Sequence, residues 1–384
     1  MGSSPSKPAA RTPEQLWPEP DPKPEEVLVP PLFDSPATAA RTRMLLPGYE
    51  LWFGKPALRV LFNDHFHRAG TVNAGLMLKL VEDPHVNLTA TVSPAGGEAQ
   101  LGWQRGLDNP DSFVDFCIIC AFRTLKLRSS IYSPKYGLGA FASLPLPLEN
   151  SKSSEENGIV GLRYASQNLS LGASCLPVLS SNEAPTVVPY GAWLVGRLGG
   201  FSAGAQYKPL SGSMQAFPFE DLKNWDYTIS YGVGSANPLS PSFNFSLELL
   251  RSKKLVASFY QHQVVQRKVR WFDIDGKDDT KITNYIDFGL ELATRVGKDK
   301  PTDDVDSSSL QIAANWQANK NFLVKGKLGP SKSSVALAFK SWWKPLFTFN
   351  ITAVKDQSKG TTAYGFGIHV DDLRNQDSDS HLQS

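Results

Sequence analysis

The chain has 384 residues, a formal net charge of +2, 20% charged and 11% aromatic residues. A balance this close to neutral makes no electrostatic case for nucleic acid or an acidic substrate, and the chain has no basic run with interleaved aromatics. No stretch approaches the ~18 consecutive apolar residues of a spanning helix, and three cysteines (Cys117, Cys120, Cys175) make no disulfide framework.

Residues 1–31 read as a disordered Pro-rich tail, because proline removes a backbone donor from helix and sheet alike. They show no apolar h-region of a secretory signal, and acids are too frequent for an Arg-rich presequence, so first exposure to the cytosol is expected. Met1-Gly-Ser-Ser-Pro-Ser6 fits N-myristoylation at Gly2; an unmodified Ser-rich start accounts for the same residues. Residues 32–48 are predicted as a short helical segment, with Ser35 as N-cap, Pro36 at the first helical position and Pro47-Gly48 as the stop.

A barrel is expected over 49–370. From about Val72 onward, apolar and polar residues alternate in short runs, as in Trp225-Asp-Tyr-Thr-Ile-Ser-Tyr231 and Phe243-Asn-Phe-Ser-Leu-Glu-Leu249. Strands are predicted at 72–82, 85–93, 98–106, 112–122, 124–132, 136–144, 157–166, 168–176, 187–197, 199–208, 225–236, 242–252, 254–264, 265–274, 282–295, 307–317, 321–329, 333–342, 345–355 and 359–370. They number about nineteen or twenty, since 265–274 is heavily charged and 112–122 alternates poorly. Residues 371–384 read as a disordered polar tail.

Consecutive hairpins without a long intervening helix argue for an up-and-down meander, since parallel neighbours need crossovers. Closure into one barrel removes the edges that so long a sheet would expose. Alternation alone fits a soluble sandwich with its apolar faces inside and a membrane barrel with its apolar face outside. The apolar sets include Phe201, Ala203, Ala205, Tyr207 and Phe347, Phe349, Ile351, Ala353, and aromatic residues often sit at the ends of such sets, as at Trp225, Tyr207, Trp316 and Tyr364. End-placed aromatics suit the interfacial girdles of a membrane barrel. The opposite faces are small and polar and carry Lys79, Lys126, Arg128, Arg163, Lys208, Lys325, Lys327 and Lys340 against Asp226, Glu248, Asp287 and Glu291. In a barrel these would line the lumen.

The last strand patterns, Leu310 to Trp316, Phe322 to Leu328, Ser334 to Phe339, Lys344 to Val354 and Ala363 to Val370, are similar in order and spacing to those that end the mitochondrial porins, the voltage-dependent anion channels. The final one resembles the sorting signal of mitochondrial outer-membrane barrels through Gly365, Ile368 and Val370, with Ala363 where that signal has a polar residue. Pro30-Pro-Leu-Phe33, the Ala/Arg segment and Pro47-Gly-Tyr49 resemble the family's N-terminal stretch; the middle of the chain matches in rhythm only, and the Pro-rich extension, longer loops and C-terminal tail depart from it. The resemblance is to a distant, plant-type relative. It implies a nineteen-strand barrel, the number also given for that family in general accounts. It further implies a water-filled pore for small anionic metabolites in the mitochondrial outer membrane, with Arg41 and Arg43 of the short helix in or near the lumen.

Other constellations weigh less. Cys117-Ile-Ile-Cys120 places its thiols on opposite faces of a strand, so the pair cannot hold a metal without a bend. His65-Phe-His67 lacks a third ligand, and Asp115 would face either lipid or lumen. No hydrolase, P-loop or dinucleotide motif occurs in the required context.

The reading is therefore an all-β, closed antiparallel up-and-down transmembrane barrel of about 19 strands with a short N-terminal helix. It conducts small, preferably anionic metabolites, with no enzymatic activity, cofactor, metal or nucleic-acid partner expected. The expected partners are membrane lipid and the machinery that inserts outer-membrane barrels; the pattern sets no oligomeric state. The alternatives are a plugged outer-membrane barrel acting as receptor or assembly scaffold, a soluble all-β binding protein, and a plastid outer-envelope location.

Overall fold

The computed structural model describes residues 48–63, 66, 71–79, 83, 85–94, 96–106, 109–119, 124–147, 158–175, 190–208, 222–234, 240–270, 279–296, 309–319, 321–341 and 346–371. The expected helix over 32–48, with Arg41 and Arg43, both terminal tails, Gly2, Cys120 and the His65/His67 pair lie outside them, apart from Gly48 and Asp371.

The strands are β1 (Val72–Lys79), β2 (Val86–Ser93), β3 (Gly96–Gly106), β4 (Asn109–Ile119), β5 (Thr124–Ser133), β6 (Leu138–Pro147), β7 (Ile159–Ala165), β8 (Leu169–Cys175), β9 (Tyr190–Leu198), β10 (Phe201–Tyr207), β11 (Trp225–Gly234), β12 (Ser242–Leu250), β13 (Lys254–Arg270), β14 (Asp279–Arg295), β15 (Ser309–Gln317), β16 (Phe322–Leu328), β17 (Lys332–Lys340), β18 (Leu346–Asp356) and β19 (Thr361–Asp371). Each pairs antiparallel with the next, and β1 pairs with β19 to close one 19-stranded sheet. The seam is parallel, with Val72 opposite Phe366 and Leu76 opposite Val370. An odd number of strands in a meander leaves the first and last pointing the same way, so a single parallel pair replaces the all-antiparallel arrangement expected.

With 271–274 outside the described residues, the predicted strand 254–264 and the described part of the next one, 265–270, form the single 17-residue strand β13. It pairs along its whole length with β14, Lys254 opposite Arg295 and Arg270 opposite Asp279. Pairing with β12 ends at His262 and pairing of β14 with β15 ends at Tyr285, so this hairpin continues past its neighbours as a two-stranded arm.

Alternation sorts the side chains by face. Along β11, Tyr227, Ile229, Tyr231 and Val233 are exposed outward, while Asp226, Thr228 and Ser230 are buried toward the lumen. Ile229 is 60% exposed and its neighbour Thr228 1%. The same inversion recurs in Phe243 and Phe245 of β12, Leu337 of β17 and Phe349 and Ile351 of β18, all exposed on the outside. A soluble sandwich would bury these residues, so the outer surface is an apolar belt around a polar interior. Among the described residues no helix is long and apolar enough to cross a membrane.

The one α-helix among the described residues, α1, spans Lys55–Asn63 and lies against β14 and β15. A 3₁₀ turn at Gly48–Leu51 precedes it and lies against β8, β9 and β10. Residues 49–63, within the span 49–370 expected as barrel but ahead of its first predicted strand, therefore run along the inside of the wall.

Candidate functional site

Local chemistry shapes the segment. Phe53 and Gly54 both take left-handed backbone angles, φ 64° and 73°, which turns the chain sharply between the 3₁₀ turn and α1. Phe53 bears a cost of about 1 kcal/mol for that conformation, offset by burial in a cluster with Tyr49, Phe141, Trp193 and Val195. The amide of Leu58 donates to the carbonyl of Gly54 at 3.1 Å, making Gly54 the cap of α1. Pro56 falls in the first helical turn, where its missing N–H would have had no partner.

A nine-residue helix is unstable alone in water. Leu58, Leu61 and Phe62, at the i, i+3, i+4 spacing of one helical face, are buried together with Ala313, and Tyr260 packs on the cluster. Burial at about 2 kcal/mol for each of the three side chains overcomes the helix's intrinsic instability. The wall is recessed to receive them. A Cβ at Gly289 would stand 2.5 Å from Leu61 and 3.2 Å from Leu58, and one at Gly204 would stand 2.9 Å from Phe53.

Polar contacts hold the same segment. The Tyr49 hydroxyl bonds Thr228 Oγ1 on β11, and burial pushes the Tyr49 phenol well above its ordinary range, so the ring stays neutral. Lys55 Nζ lies 2.5 Å from Glu248 Oε1 on β12 and 4.6 Å from the centroid of the Tyr49 ring. At the other end of α1, Lys325 Nζ donates to the carbonyl of Val60 at 2.5 Å and Lys327 Nζ to that of Phe62 at 3.3 Å. These carbonyls belong to the last turn, which lacks intrahelical donors and carries the negative end of the helix dipole. Two lysines expected to line the lumen thus cap the C-terminus of α1.

The other predicted lumen cations fall elsewhere. Arg128 on β5 pairs through Nε with Asp115 Oδ1 at 2.7 Å, and Gln100 donates to Asp115 Oδ2 at 2.9 Å. Asp115 is fully buried on the lumen side while its neighbours Phe116 and Ile118 are exposed outward, which settles its orientation. Cys117, on the same face, donates to Glu98 Oε1 at 2.9 Å. Lys126 is half-buried, opposite Cys117 in register. Arg163 on β7 is buried, with its guanidinium 6.0 Å from the centroid of the Tyr132 ring. Lys208 stands exposed just past the end of β10, and Lys340 ends β17, both at the rims of the wall. Lys79 ends β1 opposite Asn87. On β19, Gly365 is buried while Ile368, next to the parallel seam, is exposed outward, and Val370 lies on the same strand face as Ile368.

A further network lies beside α1. Asp287 Oδ1 accepts from Tyr260 Oη at 3.0 Å and from His262 Nδ1 at 2.6 Å, and Oδ2 accepts from Asn315 Nδ2 at 2.9 Å. Among the described residues no group of three or more His, Cys, Asp or Glu side chains could hold a metal ion.

The segment touches β8–β10 through the 3₁₀ turn, β11 and β12 through Tyr49 and Lys55, and β14–β16 through α1. It lies against that side of the lumen, and the cluster around Tyr49 and Phe53 also takes in Phe141 of β6. The residues that dock the segment and were not singled out in the sequence are Phe53, Lys55, Leu58, Leu61 and Phe62; Tyr49 was noted within Pro47-Gly-Tyr49. The signal for the helix was available in the i, i+3, i+4 spacing of Leu58, Leu61 and Phe62 after Gly54-Lys-Pro56. Fold and lumen together define a closed barrel with an apolar exterior and a polar, charged interior partly occupied by its own N-terminal segment. No protein-family model matches the chain, and no curated protein is significantly similar to it.

Proposed function

We propose that the protein is a porin-like channel of an outer membrane, passing small, preferably anionic metabolites through its lumen without covalent chemistry. The observation that carries this reading is the inverted alternation: apolar side chains such as Ile229, Phe245 and Leu337 are exposed outside, and polar ones such as Thr228, Ser230 and Ser246 are buried inside. Hydrocarbon is the solvent that stabilises such an exterior, and a closed sheet satisfies every backbone group within it. Lys126, Arg128 and Arg163 on the lumen face raise the local concentration of anions in a low-dielectric passage.

The mitochondrial outer membrane is the proposed site, on the resemblance of the last strands to the voltage-dependent anion channels and on Gly365, Ile368 and Val370 as an address for the barrel-insertion machinery; the plastid outer envelope is the alternative. A second reading, a plugged barrel acting as receptor or scaffold, is favoured by the two apolar clusters that fix the segment inside the lumen. Reconstitution into vesicles loaded with a labelled small anion separates the two. Release of the anion supports the channel; retention by vesicles that contain inserted barrel supports the plug. Carbonate extraction of native membranes tests insertion itself, since a soluble all-β binding protein would be released.

A further inference from the structure

At the barrel mouth that carries the β12–β13 turn, exposed cations gather over the ends of β10 to β14. Lys208 follows β10, and Lys223 lies in a 3₁₀ turn at Leu222–Asn224. Arg251 and Lys253 belong to the turn itself, and Lys254 of β13 stands opposite Arg295 of β14. Backbone contacts hold these ends together. The Lys208 amide donates to the Asn224 carbonyl at 2.8 Å, and the Val296 amide to that of Lys253 at 2.7 Å. The Ser252 hydroxyl donates to the carbonyl of Leu222 at 3.2 Å. Lys208, Arg251, Lys253 and Lys254 make no side-chain hydrogen bond or ion pair among the described residues. The nearby acids are engaged. Asp226, within electrostatic reach of Lys208 and Arg251, accepts the backbone amide of Arg251 through Oδ1 at 3.0 Å, and Glu248 pairs with Lys55. At the same mouth, the described ends of β2 to β9 present no exposed cation.

Two features of this rim work against the stability of the fold. Like charges directly opposite each other on neighbouring strands, as Lys254 and Arg295 are, repel. Arg251 and Ser252 both take left-handed backbone angles, φ 52° and 55°, in a two-residue loop that favours Asn-Gly. Elsewhere glycine fills such positions, as Gly199 and Gly360 do. A bound anion offsets the repulsion and gives the arginine a role. The depth of the patch says which anion. Tyr207 and Trp225 face each other in register on the outside of β10 and β11, with ring centroids 5.4 Å apart, where an interfacial aromatic girdle lies. The cations stand just beyond that level, and exposed apolar side chains, Leu222 and Val296, stand among them. Cations beside apolar tips match a surface in which phosphates adjoin acyl chains. We infer that this rim binds anionic phospholipid, with headgroup phosphates held by Lys208, Arg251, Lys253 and Lys254; this rests on the membrane reading above. A soluble phosphate would leave Leu222 and Val296 in water.

The test offers the full-length barrel, refolded in neutral detergent, equal amounts of phosphatidylglycerol and phosphatidylcholine with the same acyl chains. Native mass spectrometry then counts the lipid each barrel retains. Phosphatidylglycerol should be retained in preference. Arg251→Asn, Lys253→Gln and Lys254→Gln together should weaken its binding roughly a hundredfold, at about fivefold for each cation, and leave phosphatidylcholine unaffected. Asparagine suits the left-handed turn, so this variant should unfold at no lower temperature than the unaltered chain. Lys332→Gln, Lys355→Gln and Lys359→Gln remove the same charge from the same mouth, at β17 to β19, and should hardly alter lipid retention. The inference is overturned if the two lipids are held equally, or if both triple variants lose phosphatidylglycerol to the same extent. Displacement of the lipid by inorganic phosphate at constant ionic strength would make the rim a site for free phosphate and overturn the lipid assignment. A chain released from native membranes by carbonate would overturn the membrane reading as well; an inserted barrel with any of the contrary lipid results would overturn the inference alone.

Discussion

The two sides of the lumen wall use one alternation pattern and fill the space in front of it differently. From β8 to β16 the inward positions include small residues, Gly204, Gly289 and Ala313, because another part of the chain packs onto them. From β3 to β5 the inward positions include long polar side chains, Gln100, Asp115 and Arg128, which satisfy one another across strands. One wall is stabilised by apolar burial beneath a segment, the other by charge-assisted hydrogen bonds beside the lumen.

That contrast can be broken from either side. The largest effect is expected from Asp115→Leu, which leaves the Arg128 guanidinium without its counter-charge at a fully buried position; breaking such a pair costs about 3–5 kcal/mol. Unfolding in detergent should shift accordingly, with amide exchange in α1 unchanged. Leu61→Ala should do the reverse: truncating a side chain that is 2% exposed removes about 2–4 kcal/mol of docking, which speeds exchange in residues 55–63 by roughly a hundredfold. The barrel's own unfolding should hardly change.

A third variant tests closure at the parallel seam. Any Cβ at Gly75 would collide with the imidazole of His369 across the parallel seam. Gly75→Val should therefore destabilise the barrel by about 1–3 kcal/mol through overpacking, visible as a lower unfolding temperature and faster exchange in β1 and β19 first. The smallest change is expected from Lys327→Met, which removes one donor from the last turn of α1 and should cost about 0.5 kcal/mol of docking. If Lys327→Met releases the segment as fully as Leu61→Ala, the capping contacts and not the apolar face hold it.

The strands were legible because the period of two is local: β11, β12 and β16–β19 follow directly from which residues alternate. Fusion of 254–264 with 265–270 into β13 was not, because Arg267, Lys268 and Arg270 set the second stretch apart as a separate, heavily charged strand, and only its pairing with β14 as far as Arg270 shows that the strand continues. The lumen face was legible as a set of positions. Its functions were not, since Lys325 and Lys327 owe their role to carbonyls 265 residues earlier in the chain. Asp115 was ambiguous for the same reason: β4 alternates poorly in composition, and only its register against Gln100 and Arg128 shows which way it turns. The helix at 55–63 carried its apolar face in plain view but is too short to stand out, and it is stable only against a wall that the local sequence does not contain.

The central claim is that this barrel is an open passage despite the segment packed inside it. Planar-bilayer recording of the refolded full-length chain under a KCl gradient tests it most directly. The account predicts discrete conductance steps with a reversal potential on the chloride side of zero. A barrel that inserts into lipid with native amide protection in α1 and yields no steps would contradict it, and would leave a lumen plugged by residues 48–63.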